Sequence, residues 1–184
     1  MPNMNGLALY HEMRRICPET SAILVSAYTG DGVAEEAISS GICRVISKPV
    51  DMGDVIAQVD EELERPLALI VDDDSDFCES LRDVLADKGL RVGLANDETT
   101  AAKLVQSSHP HVVVLDIVLG GDSDAARVFR TIRDSNPEAS VVLVTGHRAE
   151  TEPLINELIK GGAVAVCYKP VEVPSLLETI EQLV

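Results

Sequence analysis

The chain is 184 residues long, 46% hydrophobic, and carries a formal net charge of −16. A sequence of that size builds one or two domains of about 100–150 residues, and with aromatic residues at 3% and no Trp the core must be aliphatic. Acidic residues outnumber basic ones 11 to 5 in residues 1–66 and 20 to 10 in 67–184, so both parts repel nucleic-acid phosphate. No apolar run approaches the about 20 residues of a membrane span, and no signal peptide is visible. These features predict a cytoplasmic protein with neither a nucleic-acid nor a membrane partner.

In chain order, residues 7–16 pattern as a helix, 22–25 as a strand, 32–39 as a helix, 42–46 as a strand and 53–63 as a helix. The junction Glu64-Arg65-Pro66 is short, so that helix feeds almost directly into the next strand. Residues 67–71, all apolar, read as a strand buried on both faces of a parallel sheet. They end in Asp72-Asp73-Asp74-Ser75-Asp76, where Asp74 or Ser75 can cap a helix running to about Lys88. Phe77, Leu81 and Leu85 share one face of that helix, and Gly89 ends it. A weaker, more peripheral strand at 91–95 and a helix at 98–107 follow. Residues 112–115 form the most apolar strand, ending at Asp116, and a helix lies near 124–135. Strand 141–144 ends at Thr145, helix 152–160 follows, strand 163–167 leads to Lys169, and helix 174–183 closes the chain. From residue 67 onward, five βα units predict a right-handed, doubly wound five-stranded parallel sheet.

A repeat overlies this order. Residues from Pro18 to Leu63 and from Pro137 to Leu183 share an apolar strand ending in a hydroxyl, a helix, a glycine, a second strand, Lys-Pro-Val and a final helix. Ser26 corresponds to Thr145, Gly41 to Gly162, and Lys48-Pro49-Val50 to Lys169-Pro170-Val171. The predicted division is therefore 1–66, holding only the last part of the unit, and 67–184, holding all of it. The four cysteines, Cys17, Cys43, Cys78 and Cys167, form no CxxC pair and read as reduced core residues.

Doubly wound sheets collect function beyond the carboxyl ends of their strands. In residues 67–184 those ends carry Asp72 and Asp73, Asp116, Thr145 and Lys169. Three carboxylates make a hard-oxygen site suited to Mg²⁺. An ionised Asp there can act as a nucleophile, and a hydroxyl with an ammonium opposite suits the oxygens of a transferring phosphoryl group. Any one of these residues alone is an ordinary turn or cap; all five at strand ends, in one domain, are not.

The motifs Ile70-Val71-Asp72-Asp73-Asp74, Val114-Leu115-Asp116, Val144-Thr145-Gly146 and Tyr168-Lys169-Pro170-Val171 resemble the receiver domain of two-component response regulators. The resemblance covers 67–184 and implies a phosphorelay role. Asp116 would accept a phosphoryl group from a histidine kinase or histidine phosphotransfer protein, and the domain would not be a classical enzyme. Asp73 would bind Mg²⁺ directly, Asp72 largely through water, and the Val118 carbonyl would complete the set with Asp116. Thr145 and Lys169 would contact the phosphoryl oxygens, the Lys169-Pro170 bond would be cis, and homodimers are possible. The sequence departs from the family at Gly120, where Pro is usual, at Asp124, where Gly is usual, and at Val166, where an aromatic switch residue is common. These departures predict a muted switch, read out at the fourth helix and last strand. His147 would lie near the mouth of the site.

Met1-Pro2-Asn3-Met4-Asn5-Gly6 resembles the loop after a receiver's phosphoacceptor. Copy one would then be the C-terminal half of a receiver, chemically inert because Ser26 and Lys48 have no carboxylates to work with. The segment from His11 to Arg15 superficially resembles a kinase histidine box, but the α/β surroundings do not supply the helical hairpin that chemistry needs. Two other functions compete. A non-phosphorylated interaction module would keep the fold without the chemistry. An aspartate-based phosphatase would need a second acidic pair after the lysine strand, where only Glu172 stands.

Overall fold

The computed structural model describes residues 4–16, 20–27, 32–120, 124–146 and 148–184. Cys17, Gly121, Asp122, Ser123 and His147 lie outside the described residues. The chain divides into two compact units, Met1–Arg65 and Pro66–Val184.

The first unit runs α1 (Gly6–Ile16), β1 (Ile23–Ser26), α2 (Val33–Ser39), β2 (Arg44–Ser47) and α3 (Met52–Glu64). Its strands pair in parallel, Ile23 opposite Arg44 and Ser26 opposite Ser47. Its core is small: Tyr10, Ala37 and Ile42 are buried, with Leu7, Ala22, Leu24 and Val45 packed against them. The Tyr10 hydroxyl donates to the Gly41 carbonyl at 2.5 Å, which ties α1 to the turn before β2. α3 leaves Met52, Ile56, Val59 and Leu63 exposed.

The second unit runs β3 (Leu67–Val71), α4 (Ser75–Asp87), β4 (Arg91–Ala95), α5 (Glu98–Ser108), β5 (Val112–Asp116), α6 (Ala125–Ser135), β6 (Ser140–Thr145), α7 (Arg148–Lys160), β7 (Ala165–Tyr168) and α8 (Val173–Glu181). Its five strands are parallel, in the order β4-β3-β5-β6-β7. Residues 91–95 form an edge strand, and β5 lies at the centre. Because strand side chains alternate between faces, each strand feeds two cores. Leu69, Val71, Val113, Leu115, Val141 and Leu143 pack on one face with Phe129 and Ile132 of α6. Ala68, Ile70, Val112, Val114, Val142 and Val144 pack on the other with Leu81 and Leu85 of α4 and Leu176 and Ile180 of α8. Both faces being covered is why β3 and β5 are continuous apolar runs.

The repeat reappears in backbone geometry. Gly41 and Gly162 both adopt positive φ, 90° and 104°, a region where a side chain is strained. Each ends a helix and turns the chain back: Ile42 N donates to Ala37 O at 3.0 Å, and Ala163 N to Leu158 O at 2.9 Å. That return bond explains why β2 and β7 begin two residues later than the apolar pattern predicts. Both Lys-Pro bonds, Lys48-Pro49 and Lys169-Pro170, are cis. Lys48 N and Lys169 N donate at 2.8 Å to the carbonyls of Ser26 and Thr145.

α7 starts at Arg148 rather than at 152, and Pro153 sits inside it. A proline in the second turn removes one bond, to the carbonyl four residues back in the opening turn, so the helix survives. The cysteines also differ from expectation. Cys78 is buried, but Cys43 and Cys167 are only half-buried, because they adjoin or lie on the outer strands β2 and β7.

Candidate functional site

Three strand ends of the second unit bring their side chains together, and a fourth lies beside them. Asp72 and Asp73 follow β3, Asp116 ends β5, Thr145 ends β6, and Lys169 follows β7. Asp72 and Asp116 are 1% and 4% exposed, while Asp73 is exposed to solvent. Buried carboxylates are costly unless paired, and one ammonium serves both: Lys169 Nζ donates to Asp72 Oδ2 at 2.8 Å and to Asp116 Oδ2 at 2.7 Å. The remaining oxygens are held by backbone. Asp74 N donates to Asp72 Oδ1 at 2.9 Å, and Val118 N donates to Asp116 Oδ1 at 2.9 Å.

Local sequence explains how these groups are aimed. Asp74 caps α4, accepting from Asp76 N at 3.1 Å and Phe77 N at 3.0 Å, so the chain turns into the helix directly after the acidic pair. The Asp72 carbonyl is bonded in turn by Asn96 Nδ2 at 3.0 Å and by the Cys78 thiol at 3.3 Å. Gly120 leaves room for Asp73, because a Cβ at 120 would stand 2.5 Å from Asp73 Oδ2. Asp124 caps α6 through Ala126 N at 2.8 Å, and its own N–H donates to Glu98 Oε2 at 3.2 Å. Thr145 is fully buried, with its hydroxyl oxygen 3.3 Å from that of Thr151.

The electrostatics follow from two buried carboxylates sharing one ammonium. Burial, the largest influence, pushes the Asp72 carboxyl above its ordinary value; the bonds from Lys169 and the Asp74 amide pull it back, and the charge of Asp116 pushes it up again. For Lys169, burial is likewise the largest single influence and acts downward. The bonds and charges of Asp116 and Asp72 together outweigh it, so its net shift is upward. The two directions describe one imbalance: the ammonium is well satisfied, and the Asp72 carboxylate is not. Burial, helped by the charges of Asp72 and Asp74, pushes the Cys78 thiol up to about 12.

Asp72, Asp73 and Asp116 each offer a carboxylate oxygen within 4.8 Å of the others, the one such group of acidic, His or Cys side chains among the described residues. An all-oxygen, negatively charged set with an excess of buried carboxylate fits a hard divalent cation such as Mg²⁺. Of the residues expected from the sequence, Asp72, Asp73, Asp116 and Lys169 lie together, the Val118 amide bonds Asp116, and Thr145 ends the next strand with its hydroxyl beside Thr151. Sequence reasoning did not single out Asn96, Thr151 or the bond from Asp74 N, and it placed Phe77 only as a core residue. Phe77 also presents its ring to Lys169, with Nζ 5.0 Å from the ring centroid.

The response regulator receiver domain model matches residues 1–60 and again 68–181. A response regulator receiver protein of Anaeromyxobacter sp. (strain Fw109-5) is 28% identical over 183 residues, covering 100% of this chain and 73% of that protein. The chain spans between 24% and 55% of the length of several further curated relatives. Among solved structures, the receiver domain of NtrX from Brucella abortus is 28% identical with a TM-score of 0.58, covering 63% of this chain and 96% of that one. A response regulator protein from Burkholderia pseudomallei, crystallised with a phosphorylated aspartic acid, calcium ion and citrate, is 27% identical with a TM-score of 0.55. That match covers 61% of this chain and 64% of the Burkholderia protein.

Proposed function

The chain belongs to the response regulator receiver domain family, and from that premise we propose that residues 67–184 form a Mg²⁺-dependent phosphoryl acceptor with Asp116 as the reactive residue. The observation that carries this reading is the position of Asp116: at the end of the central strand, nearly buried, 2.7 Å from an ammonium and clustered with two more carboxylates. An Asp116 oxygen attacks the phosphorus of a phosphohistidine on a histidine kinase or phosphotransfer protein. The O–P bond forms, the P–N bond breaks, and the leaving imidazole takes up a proton. Asp72, Asp73, Asp116 and the Val118 carbonyl would hold Mg²⁺, which when bound neutralises charge on the phosphoryl oxygens. The Val118 amide fixes one Asp116 oxygen, Lys169 pairs with the phosphoryl oxygens, and the Thr145 hydroxyl donates to one of them. The phosphorylated aspartic acid of the Burkholderia relative supports the same chemistry here.

Residues 1–66, which the receiver model matches over 1–60, we assign to protein interaction. Ser26 and Lys48 stand at its strand ends, but the carboxylate cluster found among the described residues lies wholly in the second unit. Output passes to a partner protein or a second copy through the face around α7 and β7. An acidic surface, and no helix among the described residues long and apolar enough to cross a membrane, support a cytoplasmic setting. Incubation with Mg²⁺ and acetyl phosphate, followed by intact mass measurement, tests the reading. Wild type gains a phosphoryl group and Asp116→Asn does not; turnover of small phosphoesters without a retained group would favour a phosphatase instead.

A further inference from the structure

We infer that Phe77 is a positioning residue for Lys169: its ring forms a non-carboxylate wall of the ammonium's socket and keeps Nζ at Asp116 while the carboxylates are engaged elsewhere. The contacts close on themselves. Asp72 Oδ1 accepts from Asp74 N at 2.9 Å, Asp74 Oδ1 accepts from Phe77 N at 3.0 Å, the Phe77 ring lies 5.0 Å from Lys169 Nζ, and Nζ returns to Asp72 Oδ2 at 2.8 Å. The helix cap that ends the acidic turn therefore also places the ring.

A cation within about 6 Å of a ring centroid is attracted by the ring's negative face. The chain has 2 Phe and no Trp, so an aromatic here is not explained by a generally aromatic core. Its other partners make the ring useful. Asp72 and Asp116 are also among the carboxylates that a divalent cation would claim, and each oxygen so used attracts the ammonium less. A π face is not a ligand for a hard cation, so its hold on Lys169 is unaffected by metal. Lys169 is thus retained beside Asp116 when its anionic partners are shared. Phe77 touches no reacting atom in this scheme and acts through Lys169 alone.

The inference rests on the phosphoacceptor reading for its kinetic arm, and a metal-free arm tests it separately. In the full chain without Mg²⁺, the Lys169 ε-methylene NMR signals should carry an upfield ring-current shift. Phe77→Leu, which keeps apolar bulk, should move them to the random-coil position, and Phe77→Tyr should preserve the shift. With Mg²⁺ and acetyl phosphate, Phe77→Leu should lower the rate at saturating phosphodonor about two- to fivefold, with KM and Mg²⁺ affinity unchanged and Phe77→Tyr restoring the rate. Lys169 signals at the random-coil position in wild type, a wild-type rate in Phe77→Leu, or a Tyr variant as slow as the Leu variant would each overturn the inference. A wild-type chain that takes no phosphoryl group would overturn the proposed function instead, leaving the metal-free spectra to decide the role of Phe77.

Discussion

Replacing Lys169 with Met keeps most of the apolar stem and deletes the charge. Two nearly buried carboxylates, with side chains 1% and 5% exposed, then lose their shared cation. Breaking a buried ion pair costs about 3–5 kcal/mol. Lys169 itself is 29% exposed, so solvent screens part of its attraction and the cost falls below that range, to about 2–3 kcal/mol. For a unit of this size that is a fall in Tm of about 10 °C. Mg²⁺ should reverse the order of gains. At 100 times its Kd a ligand stabilises by about 2.7 kcal/mol, and the variant should gain more than wild type because no ammonium competes for the same oxygens. Hydrogen exchange at the β5 amides, in EDTA and in Mg²⁺, follows this unit separately from the first. Equal protection of variant and wild type in EDTA, or equal gains on adding Mg²⁺, would refute the claim that the ammonium and the cation answer the same charge imbalance.

Asp72→Asn should stabilise the metal-free protein at neutral pH and abolish its stabilisation by Mg²⁺. Its folded-state carboxyl is raised, so the ionised form costs stability as pH rises past the unfolded value of about 3.8; thermal unfolding with and without metal measures this. Cys78 should resist iodoacetamide at pH 9 in the native state, as read by peptide mass. Its thiol lies near 12 folded against 9.0 unfolded, so stability should decline between those values, and Cys78→Ala should decline less. Leu115→Ala, at a fully buried position, should cost about 3–5 kcal/mol in urea unfolding, against under about 0.5 for Ile56→Ala on the exposed side of α3. Asp97→Ala removes the α5 cap, a bond from Thr100 N of 2.9 Å, and should cost about 1 kcal/mol. The Thr100 amide holds that carboxyl low, so the contribution is present above about pH 3.8 and is lost as pH falls through the folded value.

The residues that carry charge to the site were legible because strand ends in a parallel sheet converge whatever lies between them. An apolar run followed by Asp is therefore a local signal with a global consequence, as Asp72 and Asp116 illustrate. The repeat was legible for a similar reason: glycines at 41 and 162 and Lys-Pro pairs at 48 and 169 mark the same backbone shape twice. Phe77 was harder, because helical spacing placed it correctly on the inner face of α4 but said nothing of the ammonium arriving from a strand 92 positions further along. Asn96 and Thr151 reach Asp72 and Thr145 across elements in the same way. The early start of α7 escaped because proline is a strong stop signal by sequence, whereas a folded helix loses one bond to it and keeps the rest.

The most direct test is the phosphoryl stoichiometry of the full chain after incubation with Mg²⁺ and acetyl phosphate, with the acceptor mapped by peptide mass spectrometry. One reactive unit predicts at most one phosphoryl group per chain, on Asp116, absent in Asp116→Asn and absent in EDTA. A second group on residues 1–66, a group elsewhere in 67–184, or none on Asp116 would contradict it.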